Sequence, residues 1–163
     1  MFRVAEVLGK RAMREVSRRE LLDNLPLVRG KCGDLAVLRA FHFLEENERV
    51  LAVAAAIKNS RKDEILKYIN ESGASSVLCL QNIYSGKRPD RQNVSVALHL
   101  AETILRGNGA WRVHGGGFGG TTFNLVPFEL ADSFASFMER AFGKGCCHFL
   151  RIRPAGSICI KGE

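Results

Sequence analysis

A dense run of glycines places the tightest constraint on how this chain folds. Five of the six residues from Gly115 to Gly120 are glycine, and Phe118 is the exception. Because glycine loses more backbone entropy on folding than any other residue, such a run weakens a fold unless the backbone needs it. Two needs are plausible. One is positive φ angles in a tight turn, and the other is a bare backbone that lets another segment or a phosphate group come close.

The residues around this run do not match the common nucleotide-binding loops. Gly115, Gly117 and Gly120 have the GxGxxG spacing, but the sequence after them predicts a strand and not the helix that a dinucleotide-binding loop requires. No Gly-Lys-Ser/Thr closes the run, as it would in a P-loop. From the residues alone, a hairpin turn with Phe118 in the core is as plausible as a ligand-binding loop.

The spacing of apolar residues predicts helices first and strands later. In residues 1–33 only a short helix from Arg18 to about Asn24 is predicted, with a capping box at its start, and Gly30 is placed in a loop. The other predicted helices are residues 34–59, 62–72, 77–84, 90–106 and 129–142, and the predicted strands are residues 110–114, 121–126, 146–153 and 157–161.

This order of elements predicts an α+β fold. A helical half is followed by an antiparallel sheet with helices packed on one face. We expect one domain over residues 1–163, with a leading segment at about 1–33, a helical part at 34–106 and a β-loop-β-α-β-β part at 107–163.

Composition and hydropathy indicate a globular protein and limit the partners that it can have. The 163 residues carry a formal charge of +7 and are 46% hydrophobic, which is typical of a globular protein. The longest uncharged apolar run, residues 50–57, is much shorter than the roughly 20 residues that cross a bilayer, so no membrane partner is expected. The N-terminus has no secretory signal pattern.

Cysteine and arginine patterns exclude two further classes of site. The 5 cysteines are odd in number and none has CxxC spacing, so they predict reduced thiols in the cytoplasm and no metal site. The positive charge admits a polyanion. However, no aromatic residues are interleaved with the basic cluster near the N-terminus, so a nucleic-acid partner is not expected.

Several segments resemble, in order, the GHMP small-molecule kinases in their galactokinase form. Residues 110–127, AWRVHGGGFGGTTFNLVP, resemble the motif in which GGGFGG joins two strands. Residues 38–50 resemble the RAxHxxxENxRV helix, residues 69–72 the (M/V)NES segment, residues 9–16 the GK..LREV segment and residues 147–154 the closing strand that ends in RP. The chain departs from the family at Gly73, where many members have His, and in residues 80–84.

The resemblance covers nearly the whole chain but only the C-terminal half of the family. It implies a ferredoxin-like GHMP kinase C-terminal domain. The phosphate loop, the sugar-binding signature, and the catalytic Asp with its partner Arg belong to the N-terminal half, so no catalytic residue is expected here. The implied partner is that missing N-terminal kinase half, in cis or in trans.

The resemblance further implies a galactokinase-like enzyme, which transfers the γ-phosphoryl group of ATP to the C1 hydroxyl of galactose or a related sugar. ATP and Mg²⁺ are expected in the complete enzyme and not on this chain alone, which is expected to be inactive. The alternative is a non-catalytic binding or regulatory module that reuses this lobe.

The candidate site residues form three groups. The glycine loop would lie near the nucleotide phosphates: Gly115, Gly116, Gly117, Phe118, Gly119 and Gly120. Arg112 and His114 alternate on the strand before it and either face phosphate or form an exposed strand face. The residues of the long helix form either an interface network or a surface charge cluster: Arg39, His42, Glu46 and Asn47.

Overall fold

The computed structural model describes residues 1–117 and 120–159. It confirms an α+β fold. The helices are α1 (Phe2–Val7), α2 (Arg18–Asp23), α3 (Leu25–Cys32), α4 (Asp34–Lys58), α5 (Lys62–Ser75), α6 (Asn93–Leu105) and α7 (Ala131–Phe142). The strands are β1 (Ala110–Val113) and β2 (Thr122–Leu125), and shorter turns are 3₁₀ at Met13–Glu15 and Phe128–Leu130 and π-helical at Ser76–Leu80.

The N-terminal segment is more helical than the sequence predicts. The N-cap of the predicted capping box is confirmed, because Ser17 accepts a hydrogen bond of 3.1 Å from the Glu20 amide at the start of α2. Pro26 lies in the first turn of α3, where no amide donor is needed, so Gly30 lies in a helix and not in a loop. These helices and α4 share one apolar core, formed by Val4, Ala5, Met13, Val16, Leu21, Val28, Val37, Ala40 and Leu44.

The 25-residue α4 is the longest helix. Val50 and Leu51 recur close to helical spacing with its other apolar residues, but their side chains are 60% and 72% exposed. Within residues 1–117 and 120–159, no helix combines the length and the hydropathy that a bilayer crossing requires.

The two strands form an antiparallel hairpin around the glycine run. The register pairs Ala110 with Leu125 and Val113 with Thr122. Helix α6 packs against both strands, and α5 packs against β1. The amphipathic α7 buries Phe134 and Met138 against α6, as the spacing of its apolar residues predicts.

Helix α5 closes the edge of β1 that faces away from β2. The Asn70 amide nitrogen donates to the Gly109 carbonyl at 3.1 Å, and its oxygen accepts from the Trp111 amide at 2.9 Å. A single side chain therefore replaces the pairing that a neighbouring strand would supply. Gly73 permits this approach, because a Cβ there would lie 2.8 Å from the Trp111 carbonyl oxygen. A third strand cannot add at this edge.

We expect Asn70→Ala to lower the free energy of unfolding by about 1–3 kcal/mol, because two backbone groups of the strand edge lose their partner. Urea denaturation measures the change. Asn59→Ala is the matched control, since the Asn59 amide bonds only the exposed Ala55 carbonyl at the end of α4. It should cost less than about 0.5 kcal/mol. Equal losses in both variants would contradict this role of Asn70.

The two C-terminal strands that the sequence predicts are not formed. Residues 146–159 contain no strand, and residues 160–161 of the second prediction lie outside the described residues. The large apolar side chains of Phe149 and Ile152 in this segment are 71% and 99% exposed. An alternating pattern gives a stable strand only beside a neighbour that supplies backbone partners. In the part of the chain that the structure describes, no neighbour flanks this segment, so the sheet has two strands and not four.

Candidate functional site

The glycine loop continues the hairpin and then turns tightly. The His114 amide donates to the Thr121 carbonyl at 3.0 Å, one pair beyond the strands, and the Gly120 amide donates to the Gly117 carbonyl at 3.2 Å. Positive φ angles, which favour glycine, occur at Gly115 (+63°), Gly117 (+83°) and Gly120 (+74°). Phe118 and Gly119 lie outside the described residues.

Asn82 lies directly against this loop. Its amide nitrogen donates to the Gly116 carbonyl at 3.3 Å. A side chain at Gly117 would overlap the Asn82 carbonyl oxygen. Among the described residues, a Cβ at Gly115 or Gly116 would meet no atom within 4 Å apart from its own chain neighbours. The loop therefore meets both needs of a glycine run. It adopts positive φ angles and lets another segment approach, and it leaves a bare, open backbone at Gly115 and Gly116.

A polar cluster joins α4, α5 and β1; we call Glu46, Arg49, Ser72 and Arg112 the Glu46 cluster. The Glu46 carboxylate accepts hydrogen bonds from the Ser72 hydroxyl, from Arg49 Nε at 2.9 Å and from Arg112 Nη1 at 3.2 Å. Arg112 also donates from Nε to the Val113 carbonyl at 3.1 Å. The cluster thus holds β1 against α4 at Arg112, which lies three residues before Gly115.

The Glu46 carboxylate is held ionised by its neighbours. Burial raises the pKa of this carboxyl, but hydrogen bonds from Ser72 and Arg49 and the charges of Arg49 and Arg112 outweigh burial, so its pKa lies below the usual value. The side chains of Glu46, Arg49 and Arg112 are only 22%, 13% and 29% exposed. Loss of this one negative charge would therefore leave two poorly solvated cations without their common partner.

His42 lies one turn before Glu46 on α4 and is half-buried. Its Nδ1 is 2.9 Å from the Ser75 hydroxyl of α5. Burial lowers the pKa of the His42 imidazole, the charges of Arg49 and Arg112 lower it further, and Glu46 opposes them. The neutral ring is therefore the form that the folded state prefers.

Because of His42, we expect the chain to become less stable as the pH is lowered. Because the folded-state pKa is depressed below the unfolded value of about 6.5, stability is complete above that value and is lost as pH falls toward the folded-state pKa. We expect the free energy of unfolding, measured in urea, to decrease as the pH falls below about 6.5.

The matched variant for this effect is His42→Gln, which keeps a hydrogen-bonding partner for Ser75 but does not titrate. Its stability should stay flatter in this pH window, which lies above the window of the carboxylates, including Glu46. The same slope in both proteins would contradict the assignment.

The structure brings together three candidates, His42, Glu46 and Arg112. Arg39 and Asn47 are exposed on α4 and lie outside the Glu46 cluster, and His114 is exposed with its ring centroid 6.3 Å from that of Phe123. In the described residues no three His, Cys, Asp or Glu side chains gather as they would around a metal ion.

Sequence reasoning did not single out Arg49, Ser72 or Asn82. The spacing of three between Glu46 and Arg49 is the usual signal for an ion pair on a helix face. Ser72 lies in the segment that resembles (M/V)NES, but nothing local predicts that its hydroxyl meets α4. No signal points to Asn82, because its contact with the loop depends on how the π-helical turn ends.

No protein-family model matches the chain. Curated relatives do match it, and they are galactokinases. The chain is 36% identical to the galactokinase of Thermotoga neapolitana over 139 residues, which are 85% of this chain and 35% of that protein. It is 27% identical to that of Glaesserella parasuis over 140 residues, or 86% of this chain and 34% of that protein. For the galactokinase of Haemophilus influenzae, the identity is 29% over 86% of this chain and 34% of that protein. The chain thus spans about a third of the length of the curated relatives that it matches.

Proposed function

We propose that this chain, which is similar to galactokinases over most of its length, is the C-terminal domain of a galactokinase-like enzyme. That enzyme would transfer the γ-phosphoryl group of ATP to the C1 hydroxyl of galactose or a related sugar. The observation that carries the proposal is the open glycine loop between two antiparallel strands, in a chain 27% to 36% identical to the relatives described above.

The glycine loop is the part of this chain that we assign to the phosphate region. Backbone amides without side chains form surfaces that favour anions. The bare positions at Gly115 and Gly116 fit that role, because a Cβ there would enter the space now open in front of the backbone. ATP with Mg²⁺ supplies the phosphoryl group in the complete enzyme. The loop would wall the cleft and back the phosphate loop of the other half.

The Glu46 cluster and His42 have a positioning role in this proposal. They touch no substrate, but they fix β1 and thus the direction in which the glycine loop leaves the sheet. The exposed side chains Arg39, Asn47 and His114 are assigned to the surface that meets the N-terminal kinase half. Residues 1–163 would act as one domain in the cytoplasm.

The proposal assigns the phosphate loop, the sugar signature and the catalytic Asp to the N-terminal half, in cis or in trans. Phosphoryl transfer depends on in-line positioning and charge stabilisation by several groups together. A single glycine loop provides only one of these, so we expect the isolated chain to be inactive.

A chimera tests the proposal. The matched region of the Thermotoga neapolitana galactokinase is replaced by this chain, and ATP-dependent phosphorylation of galactose is measured. A second chimera with the matching region of the Haemophilus influenzae galactokinase shows that the host tolerates such a swap. We expect both chimeras to phosphorylate galactose and the isolated chain to give no product. A folded but inactive chimera beside an active control would contradict the proposed function.

A further inference from the structure

Two adjacent cysteines follow α7, and their sulfur atoms lie on the same side of the chain. The Sγ atoms of Cys146 and Cys147 are 3.9 Å apart, and both groups are free thiols. Neighbouring side chains of an extended strand point to opposite faces, so the strand predicted over residues 146–153 would have separated them. We call these two residues the thiol pair.

The backbone before the thiol pair forms a turn that α7 anchors. Gly143 and Gly145 have φ angles of +97° and +82°, which favour glycine. The Gly145 amide donates to the Glu139 carboxylate of α7 at 2.8 Å, and the Cys146 amide donates to the Gly143 carbonyl at 3.4 Å. A ligand that needs both sulfur atoms therefore finds them close together before it binds, which lowers the entropy cost of binding.

The environment of the thiol pair keeps Cys147 protonated. Burial raises the pKa of this thiol, and the neighbouring Cys146 thiol and the Glu139 charge raise it further, to about 11. A zinc ion would have to release that proton and prefers four ligands, but in the described residues no three His, Cys, Asp or Glu side chains gather around one point. The ligand that suits this pair needs only two sulfur atoms and takes up the thiol protons itself.

An open cleft lies beside the thiol pair. Its volume is about 670 Å³, within the range of sites that take small organic molecules. Ile104 and Phe137 give it an apolar wall, and Lys144 of the turn lines it as well. The Glu139 carboxylate both lines the cleft and holds the turn, so the cleft and the thiol pair are neighbours. A ligand bound to the two sulfur atoms has room there for an apolar group.

We propose that Cys146 and Cys147 form a two-thiol binding site for trivalent arsenicals that carry an aryl group, such as phenylarsonous acid, and that the cleft holds the aryl group. Sulfur ligands favour soft acceptors, and trivalent arsenic is one. Two bonds of about 2.3 Å, the length of a zinc–sulfur bond, span the 3.9 Å between the sulfur atoms, so both can bind one atom. This inference does not depend on the proposed function.

The binding step exchanges oxygen for sulfur on arsenic. Two As–O bonds and two S–H bonds break, two As–S bonds and two O–H bonds form, and two water molecules leave. The aryl group stays on arsenic. Arsenic remains trivalent, so the step needs no oxidant or reductant. Because the thiol protons leave in the water, a protonated Cys147 is a competent partner.

Intact-mass spectrometry with competing thiols tests this site. The probe is phenylarsine oxide, which forms phenylarsonous acid in water, and it is added to the full chain. We expect one phenylarsenic group per chain, which dithiothreitol removes and excess mercaptoethanol does not, since a single thiol cannot match an attachment at two points. No adduct, or an adduct that mercaptoethanol removes, would overturn the proposal.

Serine variants locate the adduct. Cys146→Ser and Cys147→Ser should each weaken binding of phenylarsine oxide by at least about a hundredfold, which a second attachment within one site contributes. The matched controls are Cys32→Ser, at a half-buried thiol, and Cys159→Ser, at an exposed one, and both should bind as the original chain does. Unchanged binding in either of the first two variants would overturn the assignment to this pair.

Ser136→Trp tests where the aryl group lies. Ser136 is exposed and lines the cleft, so the larger side chain should fill the cleft without unfolding the chain. Binding of phenylarsine oxide should weaken at least about tenfold, because burial of the phenyl ring is lost. Binding of arsenite, which has no aryl group, should not change. Equal affinity of the variant and the original chain for phenylarsine oxide would overturn the role of the cleft.

Discussion

Gly117→Ala is expected to destabilise the chain more than any other single alanine substitution in the described part of the glycine loop. The φ angle of Gly117 is +83°, and the added methyl group would overlap the carbonyl oxygen of Asn82. The backbone conformation alone costs about 1–3 kcal/mol for a residue with a side chain. Displacement of the Asn82 segment adds a cost of about 1–3 kcal/mol.

The free energy of unfolding in urea measures this effect, and Gly116→Ala is the matched control. Gly116 has no positive φ angle, and in the part of the chain that the structure describes no atom beyond its chain neighbours lies within 4 Å of its Cβ position. It should change stability by less than about 0.5 kcal/mol. In an active complete enzyme, the bulkier Gly116→Val should lower activity while leaving stability intact. Equal destabilisation by the two alanine variants would show that the loop does not depend on its contact with Asn82.

Glu46→Ala is expected to lower the free energy of unfolding by about 3 kcal/mol, the lower end of the range for breaking a buried ion pair, because the site retains some solvent contact. The substitution removes the acceptor shared by Ser72, Arg49 and Arg112 and leaves both guanidinium groups without it. Glu46→Gln keeps an acceptor oxygen but not the charge, so its loss should be smaller.

Glu48→Ala is the control for helix α4, because Glu48 is exposed and takes part in no ion pair among the described residues. Its effect should lie within about 0.5 kcal/mol. Urea denaturation of the three variants measures these changes in the free energy of unfolding. A loss in Glu46→Ala no greater than in Glu48→Ala would mean that the cluster does not hold β1 to α4.

Local patterns predicted the elements that depend on local physics. The Ser17 N-cap, the long α4, the amphipathic α7 and the β1–β2 hairpin all follow from neighbouring residues. The strands predicted at residues 146–153 and 157–161 depend instead on a neighbour elsewhere in space. An alternating sequence cannot tell whether such a neighbour is present, and here the described residues supply none.

The candidate site likewise contains features that local sequence predicts and features that depend on residues far apart in the chain. The glycine run could be identified from the sequence because so many glycines lower stability through backbone entropy unless the fold requires them. The positive φ angles at Gly115, Gly117 and Gly120 are such a requirement. The contact between Glu46 and Arg112 could not be predicted, since Arg112 lies 66 residues away in sequence. Asn82 was missed because a π-helical turn and a left-handed Gln81 set its position.

The two hydrogen bonds from the Asn70 side chain to the edge of β1 have a consequence for aggregation. An endless cross-β ladder needs two free edges on every sheet, one to receive a strand and one to offer the next. With β1 already occupied by a side-chain amide, the described hairpin offers only one, at β2. Strand addition through this hairpin therefore ends after a single step, and fibre growth by edge-to-edge stacking has no second surface from which to continue.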